Sequence, residues 1–158
     1  MKNRRGLTAV AMAGMMGAMT LASSFSAYAA AGWVQSGNTY VYYDSDGSLH
    51  KGWVNASNGY YYTDLSTGQM VTGWKQINNN WYYFQADGLM ATGWVQDGGK
   101  YYYTLTDGTM HKNGWVNIGS DYYYMGSDGA MVTGWQTIDG GKFYFNPSDG
   151  KCIVNRAC

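Results

Sequence analysis

The dipeptide Gly-Trp recurs along this chain at nearly constant intervals, and that period constrains the fold more than any other feature. The six tryptophans follow one another after 20, 21, 20, 21 and 20 residues. They are Trp33, Trp53, Trp74, Trp94, Trp115 and Trp135. Self-similarity at a short fixed period is the signature of a repeat protein. Six repeats, starting near residues 32, 52, 73, 93, 114 and 134, fill residues 30–158 and leave no room for a separate globular domain.

Each repeat contains the same order of residue types. With the Gly of Gly-Trp counted as position zero, an aromatic residue stands near position eight, and a second one follows two residues later. A turn signal, usually Asp-Gly, comes next, and an apolar residue or Cys stands two residues after its glycine. The position-eight residues are Tyr40, Tyr60, Trp81, Tyr101, Tyr122 and, one residue late, Phe143; the residues after the turn are Leu49, Met70, Met90, Met110, Met131 and Cys152.

Aromatic and β-branched clusters bounded by Gly, Asn and Asp predict short strands. We therefore expect each repeat to form a hairpin that turns near positions five and six. Antiparallel pairing then places position one opposite position ten and position three opposite position eight. Because side chains alternate between faces, the tryptophan, two further rings and an amide share one face, whereas a one-residue slip would exchange the faces. In the third repeat this predicts Trp81 and Tyr83 on the ligand face and Tyr82 and Phe84 in packing.

A single hairpin is marginally stable in water, and a repeat gains a core by stacking on its neighbours. The sequence therefore predicts an all-β fold, a solenoid of six stacked β-hairpins. Half or more of the rings would form the core of that solenoid. Leu, Ile and Val are scarce, however, and aromatic rings grouped on a partly open surface suit quaternary ammonium groups and sugar faces.

The first 29 residues are predicted to be a secretory signal peptide. They have a basic start at Lys2, Arg4 and Arg5, an apolar run, and Ala27-Tyr28-Ala29 as a small-x-small cleavage site. The apolar run is shorter than the roughly 20 residues of a membrane span, which favours cleavage over a retained anchor. We expect a secreted chain, residues 30–158, with no transmembrane segment.

Charge and residue types argue against several other functions. Residues 30–158 contain seven Lys or Arg and ten Asp, a net charge of −3, so the basic footprint of a nucleic-acid binder is missing. Most Asp residues fall in turn signals, where local hydrogen bonds explain them, and glycoside hydrolysis would need one with a raised pKa. His50 and His111 are solitary copies before Lys51 and Lys112, so they are weak metal candidates. We expect no enzyme activity, no metal and no cofactor.

The stretch Gly73–Trp94, GWKQINNNWYYFQADGLMATGW, resembles the choline-binding, or cell wall-binding, repeat of secreted Gram-positive surface proteins and wall hydrolases. The likeness covers all six repeats. It implies a left-handed solenoid with ligand sites in the joints between hairpins, where rings and a methionine surround choline of teichoic acids. The residues that match are Trp33, Tyr40, Trp53, Tyr60, Met70, Trp74, Trp81, Met90, Trp94, Tyr101, Met110, Trp115, Tyr122, Met131 and Trp135.

This chain departs from the choline-type pattern at position eight, where only Trp81 is a tryptophan. Tyr is a weaker cation–π partner than Trp, and related repeats that favour Tyr and Phe at this place bind sugars. Three hypotheses follow: a secreted protein that binds choline-bearing teichoic acids of the cell wall, a protein that binds a glucan or another wall polysaccharide, and a structural surface protein whose repeats stack on each other or on like chains.

Cys152 and Cys158 are the two cysteines of the chain, and secretion favours disulfides. Cys152 takes the methionine place of the last repeat, where no further repeat covers it. A Cys152–Cys158 bridge that pins the tail as a cap is one hypothesis, and pairing with another molecule is the alternative.

Overall fold

The computed structural model describes residues 31–154, and in that range it consists of strands and turns without a helix. The predicted signal peptide, residues 1–29, lies outside this range, as does Cys158. Six hairpins follow one another, and a short thirteenth strand joins the last. The strands are β1 (Gly32–Ser36), β2 (Thr39–Tyr43), β3 (Gly52–Ala56), β4 (Gly59–Thr63), β5 (Gly73–Ile77), β6 (Asn80–Phe84), β7 (Gly93–Asp97), β8 (Lys100–Thr104), β9 (Gly114–Ile118), β10 (Asp121–Met125), β11 (Gly134–Ile138), β12 (Gly141–Phe145) and β13 (Cys152–Val154).

A two-residue turn closes each hairpin. In the third hairpin Asn78 and Asn79 have φ values of +48° and +68°, and in the fourth Gly98 and Gly99 have +55° and +76°. Two successive positive φ values are what a type I′ turn requires, and Asn and Gly adopt them most readily. These turns fix the strand register, because each hairpin can pair only outward from its turn.

The predicted register, with position one opposite position ten, is confirmed in the first, second, fourth, fifth and sixth hairpins. In the second hairpin Trp53 lies opposite Tyr62, and Asn55 lies opposite Tyr60. The fourth hairpin repeats this arrangement with Trp94 opposite Tyr103. The first and fifth hairpins also pair position one with position ten. The tryptophan, the two rings and the amide therefore share a face, as the alternation of side chains along a strand requires.

The sixth hairpin corrects one sequence interpretation. Phe143 was expected to be a late position-eight ring and Phe145 its partner two residues on. Instead Trp135 lies opposite Tyr144, and Thr137 lies opposite Lys142. Asp139 and Gly140 form a turn of the usual two residues, so the register does not shift and Lys142 takes position eight. Phe143 and Phe145 point to the other face, where they are buried.

The face opposite the tryptophans forms most of the core. Its members stand at positions two, nine and eleven of their repeats, and several are almost completely buried: Val41, Val54, Tyr61, Thr63, Phe84, Val95, Thr104, Val116, Tyr123, Met125, Phe143 and Phe145. Two of them are threonines. Thr63 and Thr104 are satisfied because their hydroxyl groups donate to the carbonyls of His50 and Ala91, each at 2.9 Å. The predicted packing role of Phe84, which is fully buried, is confirmed.

The described residues divide into two compact units. The first contains the described residues up to Gly73 together with Phe84–Met90. Within it, the amide of Met70 donates to the carbonyl of Tyr40 at 2.7 Å, and the amide of Met90 donates to the carbonyl of Tyr60 at 2.8 Å. These bonds join the segment that follows one turn to the position-eight residue of the preceding hairpin, so successive repeats are stacked.

The second unit contains Trp74–Tyr83 and the described residues from Ala91 onward. The same backbone bonds recur, from Met110 to the carbonyl of Trp81 and from Met131 to that of Tyr101, each at 2.7 Å. β13 adds to β12 and makes the last hairpin a three-stranded sheet. An ion pair between Lys151 and Asp121, at 2.7 Å, ties that end to the fifth hairpin.

The turn glycines combine two requirements. Gly129 has a φ of +82°, and a Cβ placed on it would lie 2.6 Å from Sδ of Met110. Gly47 occupies the equivalent turn of the first repeat with a φ of +83°, yet a Cβ there would meet nothing within 4 Å. The two glycines therefore separate backbone strain from side-chain crowding.

We expect Gly47→Ala to lower the free energy of unfolding by about 1–2 kcal/mol, the cost of a left-handed residue with a Cβ. Gly129→Ala should cost about 1–3 kcal/mol more, because the methyl group also displaces Met110. In a chain that already carries Met110→Ala, adding Gly129→Ala should cost only the backbone strain, because the side chain that the new methyl group would displace is gone. Urea denaturation of the four variants measures this. Equal losses for the two glycine variants would contradict the packing role of the methionine.

Candidate ligand-binding corners

Two pairs of rings form open right-angled corners on the tryptophan face. The ring centroids of Trp53 and Tyr60 are 6.4 Å apart with an interplanar angle of 87°. Those of Trp94 and Tyr101 are 6.5 Å apart at 86°. All four side chains are exposed, Trp53 by 36%, Trp94 by 38%, Tyr60 by 48% and Tyr101 by 43%. We call these pairs the Trp53 corner and the Trp94 corner.

Other rings hold each tryptophan in place. Trp53 packs edge-on against Tyr62 of its own hairpin, at 5.2 Å, and lies 5.8 Å from Phe84 of the next. Trp94 packs in the same way against Tyr103 at 5.3 Å and Tyr123 at 4.9 Å. Edge-to-face contacts at these distances are favourable. Each tryptophan is thus fixed on two sides by packing, while another part of its surface remains open beside the position-eight tyrosine.

The methionines lie at the same joints. The backbone bonds from Met90 to Tyr60 and from Met131 to Tyr101 place one methionine beside each corner. Methionine thioethers also have a packing role at the turn glycines, since Met110 and Met131 lie against the places where a Cβ of Gly129 and of Gly150 would stand. The sequence prediction did not include this contact with the turn glycines.

The remaining predicted residues lie at their joints without forming such corners. Trp33, Trp74 and Trp115 are half-buried. Each packs against one ring of its own hairpin and against at least one ring of the next, and Trp115 contacts two there. Among the described residues, none of them makes a ring contact with its own position-eight partner, which is Tyr40, Trp81 or Tyr122. Trp81 is 38% exposed. The structure therefore distinguishes two corners within a set that the sequence treats as uniform.

The last repeat differs again. Trp135 is 64% exposed and packs on Tyr144 at 5.1 Å with an interplanar angle of 54°. Its position-eight partner is Lys142, so no aromatic corner forms there.

The two histidines have structural contacts that the sequence analysis missed. Nε2 of His50 lies 2.9 Å from the carbonyl oxygen of Trp53, and Nδ1 lies 2.9 Å from the carboxylate of Asp44. Nε2 of His111 lies 3.2 Å from the carbonyl oxygen of Trp115. Each histidine thus holds the segment between two hairpins against the first strand of the second hairpin. The signal was present in the sequence as a His three or four residues before a Gly-Trp tryptophan.

The Asp carboxylates in the turns accept hydrogen bonds from groups two residues further along the chain. The hydroxyl of Thr109 donates to Asp107 at 2.7 Å and its amide donates at 2.9 Å, and these bonds lower the pKa of Asp107 below its ordinary value. The amide of Ala130 and the ammonium of Lys100 likewise lower the pKa of Asp128. A glycosidase acid requires a raised pKa, and these shifts have the opposite direction. In residues 31–154, no three His, Cys, Asp or Glu side chains group as a metal site would need.

Cys152 is disulfide-bonded and packs against the cluster of Ile138, Phe143 and Phe145. Cys158, its predicted partner, lies outside the described residues, so the Cys152–Cys158 pairing stays a prediction. Within the range that the structure describes, no helix is long and apolar enough to cross a membrane.

Stacked hairpins with solvent-facing aromatic corners define a ligand-binding repeat module. Residues 30–72, 71–115 and 112–156 match the family model of the choline-binding repeat, and the chain belongs to this family. The comparison with curated proteins gave no significant match.

Solved structures of Streptococcus pneumoniae proteins show the same fold. CbpJ is 35% identical with a TM-score of 0.73, and the match covers 80% of this chain and 46% of CbpJ. Choline binding protein F is 34% identical with a TM-score of 0.70 and the same coverage of each chain. The modular autolysin LytC is 27% identical with a TM-score of 0.57, over 78% of this chain and 33% of LytC. The predicted fold class of stacked β-hairpins is confirmed, and this chain spans less than half of each of these relatives.

We expect the lowered pKa of Asp107 to be measurable by carboxyl NMR titration. Asp107 should titrate below 3.8, its ordinary value, and Thr109→Ala should raise the midpoint because the largest cause of the shift is removed. A depressed folded-state pKa means that this carboxylate stabilises the fold above pH 3.8, and that the contribution is lost as the pH falls through the folded value. A midpoint at or above the ordinary value in the unsubstituted chain would contradict the hydrogen-bonded geometry.

Proposed function

We propose that the chain is a secreted, non-catalytic cell wall-binding protein that holds choline groups of teichoic acids in the Trp53 and Trp94 corners. The observation that carries this proposal is the pair of ring sets, at 6.4 Å and 87° and at 6.5 Å and 86°, each about two-fifths exposed. Two ring faces at right angles can both face a single quaternary ammonium group.

Such a site has a sufficient physical driving force. A cation over an aromatic face gains about 0.5–1 kcal/mol when exposed and about 2 kcal/mol or more when desolvated. The methyl groups of choline leave water when they pack against the rings and the nearby methionine, so burial of apolar surface adds to the electrostatic attraction. One corner would bind weakly. Two corners on one chain gain effective concentration on a polymer that repeats the same group, which suits attachment to a wall.

The family supports choline as the ligand, because CbpJ and choline binding protein F contain the same hairpins. It supports a binding role without assigning an activity to the whole protein. The autolysin LytC combines the fold with an enzyme function, and this chain covers 33% of it. Secretion rests on the predicted signal peptide.

Binding of a wall glycan is the second candidate. Both corners carry Tyr in place of Trp at position eight, and exposed amides lie directly opposite, Asn55 facing Tyr60 and Gln96 facing Tyr101. Amide groups can exchange hydrogen bonds with sugar hydroxyls. Choline binding protein F has also been solved in the presence of a peptidoglycan analogue, a tetrasaccharide-pentapeptide. A structural surface protein that binds neither ligand is the remaining hypothesis.

Thermal unfolding of the full chain with choline, with sodium chloride at equal ionic strength, and with a soluble glucan tests the proposal. Binding to the native state raises stability as RT ln(1 + [L]/Kd) for each site. We expect choline to raise the midpoint where the salt does not. Tyr60→Leu and Tyr101→Leu should each weaken one corner about three- to thirtyfold, and the double variant should show the smallest response to choline.

Tyr122→Leu is the matched control, because Tyr122 is a position-eight ring outside both corners. It should keep the response to choline. A midpoint that rises with glucan and not with choline would favour the glycan hypothesis. An unfolding midpoint that changes with neither ligand would favour the structural hypothesis. Retention on whole cell walls that free choline does not displace would agree with that hypothesis.

A further inference from the structure

Met131 is a half-buried methionine at the Trp94 corner. Its amide donates to the carbonyl of Tyr101 at 2.7 Å, so its backbone is tied to the tyrosine of that corner. Its side chain packs against the core cluster that contains Tyr123, and Tyr103 packs against the same cluster. Tyr103 and Tyr123 are the two rings that hold Trp94 in place. A chemical change in the Met131 side chain therefore acts on the packing that supports the corner.

The thioether end of Met131 lies against the turn glycine of the last repeat. A Cβ built on Gly150 would collide with both Sδ and Cε of Met131, so the sulfur lies directly on the backbone of that turn. Gly150 is itself buried, with a φ of +72°. A further atom on the sulfur does not fit on the side that faces the turn.

Packing alone does not explain why a methionine stands at this place. Leu49 takes the equivalent place in the first repeat, and its Cδ2 lies 2.6 Å from the point where a Cβ of Gly68 would stand. A branched hydrocarbon thus fills the same kind of joint. What methionine adds is a polarisable sulfur, and a thioether can be oxidised to a sulfoxide.

We propose that Met131 is an oxidation site through which a hydroperoxide weakens ligand binding at the Trp94 corner. An S–O bond forms as the O–O bond of the hydroperoxide breaks, so the sulfur loses two electrons and the hydroperoxide is reduced to water or an alcohol. The sulfoxide is polar where the thioether is apolar, and this change disrupts packing. The effect on choline rests on the proposed function, whereas the effect on the packing of Trp94 does not.

Burial predicts which methionines react. Met125 belongs to the same cluster but is completely buried, so it should be protected, whereas Met131 is half-buried and open to a small oxidant. Met110 is also half-buried and lies against Gly129. Its amide, however, binds the carbonyl of Trp81, which belongs to neither corner. Met110 is therefore the matched control.

The test is treatment of the full chain with hydrogen peroxide, followed by peptide mass spectrometry and NMR of the tryptophan indole signals. The Trp94 signal is assigned by its loss in Trp94→Phe. We expect Met131 to gain one oxygen atom before Met125 does, and the Trp94 signal to shift without any ligand. The affinity of this corner for choline should fall about two- to tenfold, the range of a lost sulfur–aromatic contact. Methionine sulfoxide reductases should reverse both changes.

Two variants assign the effect to one sulfur. Each variant is compared with its own untreated sample, so that any direct effect of the substitution on binding cancels. Met131→Leu places at this joint the residue type that Leu49 provides in the first repeat, and peroxide should leave its Trp94 signal and its choline affinity unchanged. Met110→Leu should keep the full response to peroxide.

A Trp94 signal that stays unchanged although Met131 is oxidised would overturn the proposal, as would a response that persists in Met131→Leu. Failure of Met131 to react under conditions that oxidise Met110 would overturn it as well. If choline does not shift the Trp94 signal of the untreated chain, the proposed function fails at that corner. The shift that peroxide causes without ligand still decides whether Met131 controls the packing of Trp94.

Discussion

The contact between the tryptophan of one hairpin and a core ring of the next is the interaction on which the rest of the structure depends. Trp33 meets Tyr61 at 5.2 Å, Trp74 meets Tyr102 at 5.0 Å, and Trp94 meets Tyr123 at 4.9 Å. A hairpin of two five-residue strands has too little apolar surface to be stable alone. Each Trp or Tyr can bury roughly 150–250 Å², so these contacts supply the core that the aliphatic residues do not.

This construction also explains why recognition and stability involve the same side chains. A tryptophan that must touch the next hairpin cannot be wholly exposed, and one with a binding role cannot be wholly covered. In the Trp53 and Trp94 corners the ring is packed on two sides while part of it remains open next to a tyrosine. Trp33, Trp74 and Trp115 are covered further and serve the core. At Trp135 no following ring covers the indole in residues 31–154, and exposure rises to 64%.

The sequence predicts the fold well because the turns have a constant length. Once two residues are assigned to each turn, the pairs of Trp53 with Tyr62 and Asn55 with Tyr60 follow from counting. The sequence interpretation of the sixth repeat is wrong because its aromatic residues, Phe143 and Phe145, suggest a shifted register. The Asp139-Gly140 turn keeps the usual length, and turn geometry determined the pairing where residue type suggested another.

The residue types of the candidate site were predictable from the sequence, but which repeats form an aromatic corner was not. The sequence gives no reason why Tyr60 and Tyr101 make a ring contact with their tryptophans while, among the described residues, Tyr40, Trp81 and Tyr122 do not. Trp81 has the ring type most typical of the choline repeat, and it forms no corner. The difference is a property of the three-dimensional packing, which residue types alone do not determine.

A crystal structure of the full chain with choline tests the central claim most directly. The claim predicts one quaternary ammonium group in the Trp53 corner and one in the Trp94 corner, each within about 6 Å of both ring centroids, and none against Trp135. Choline bound only beside Trp33, Trp74 or Trp115, or bound on Trp135, would contradict it.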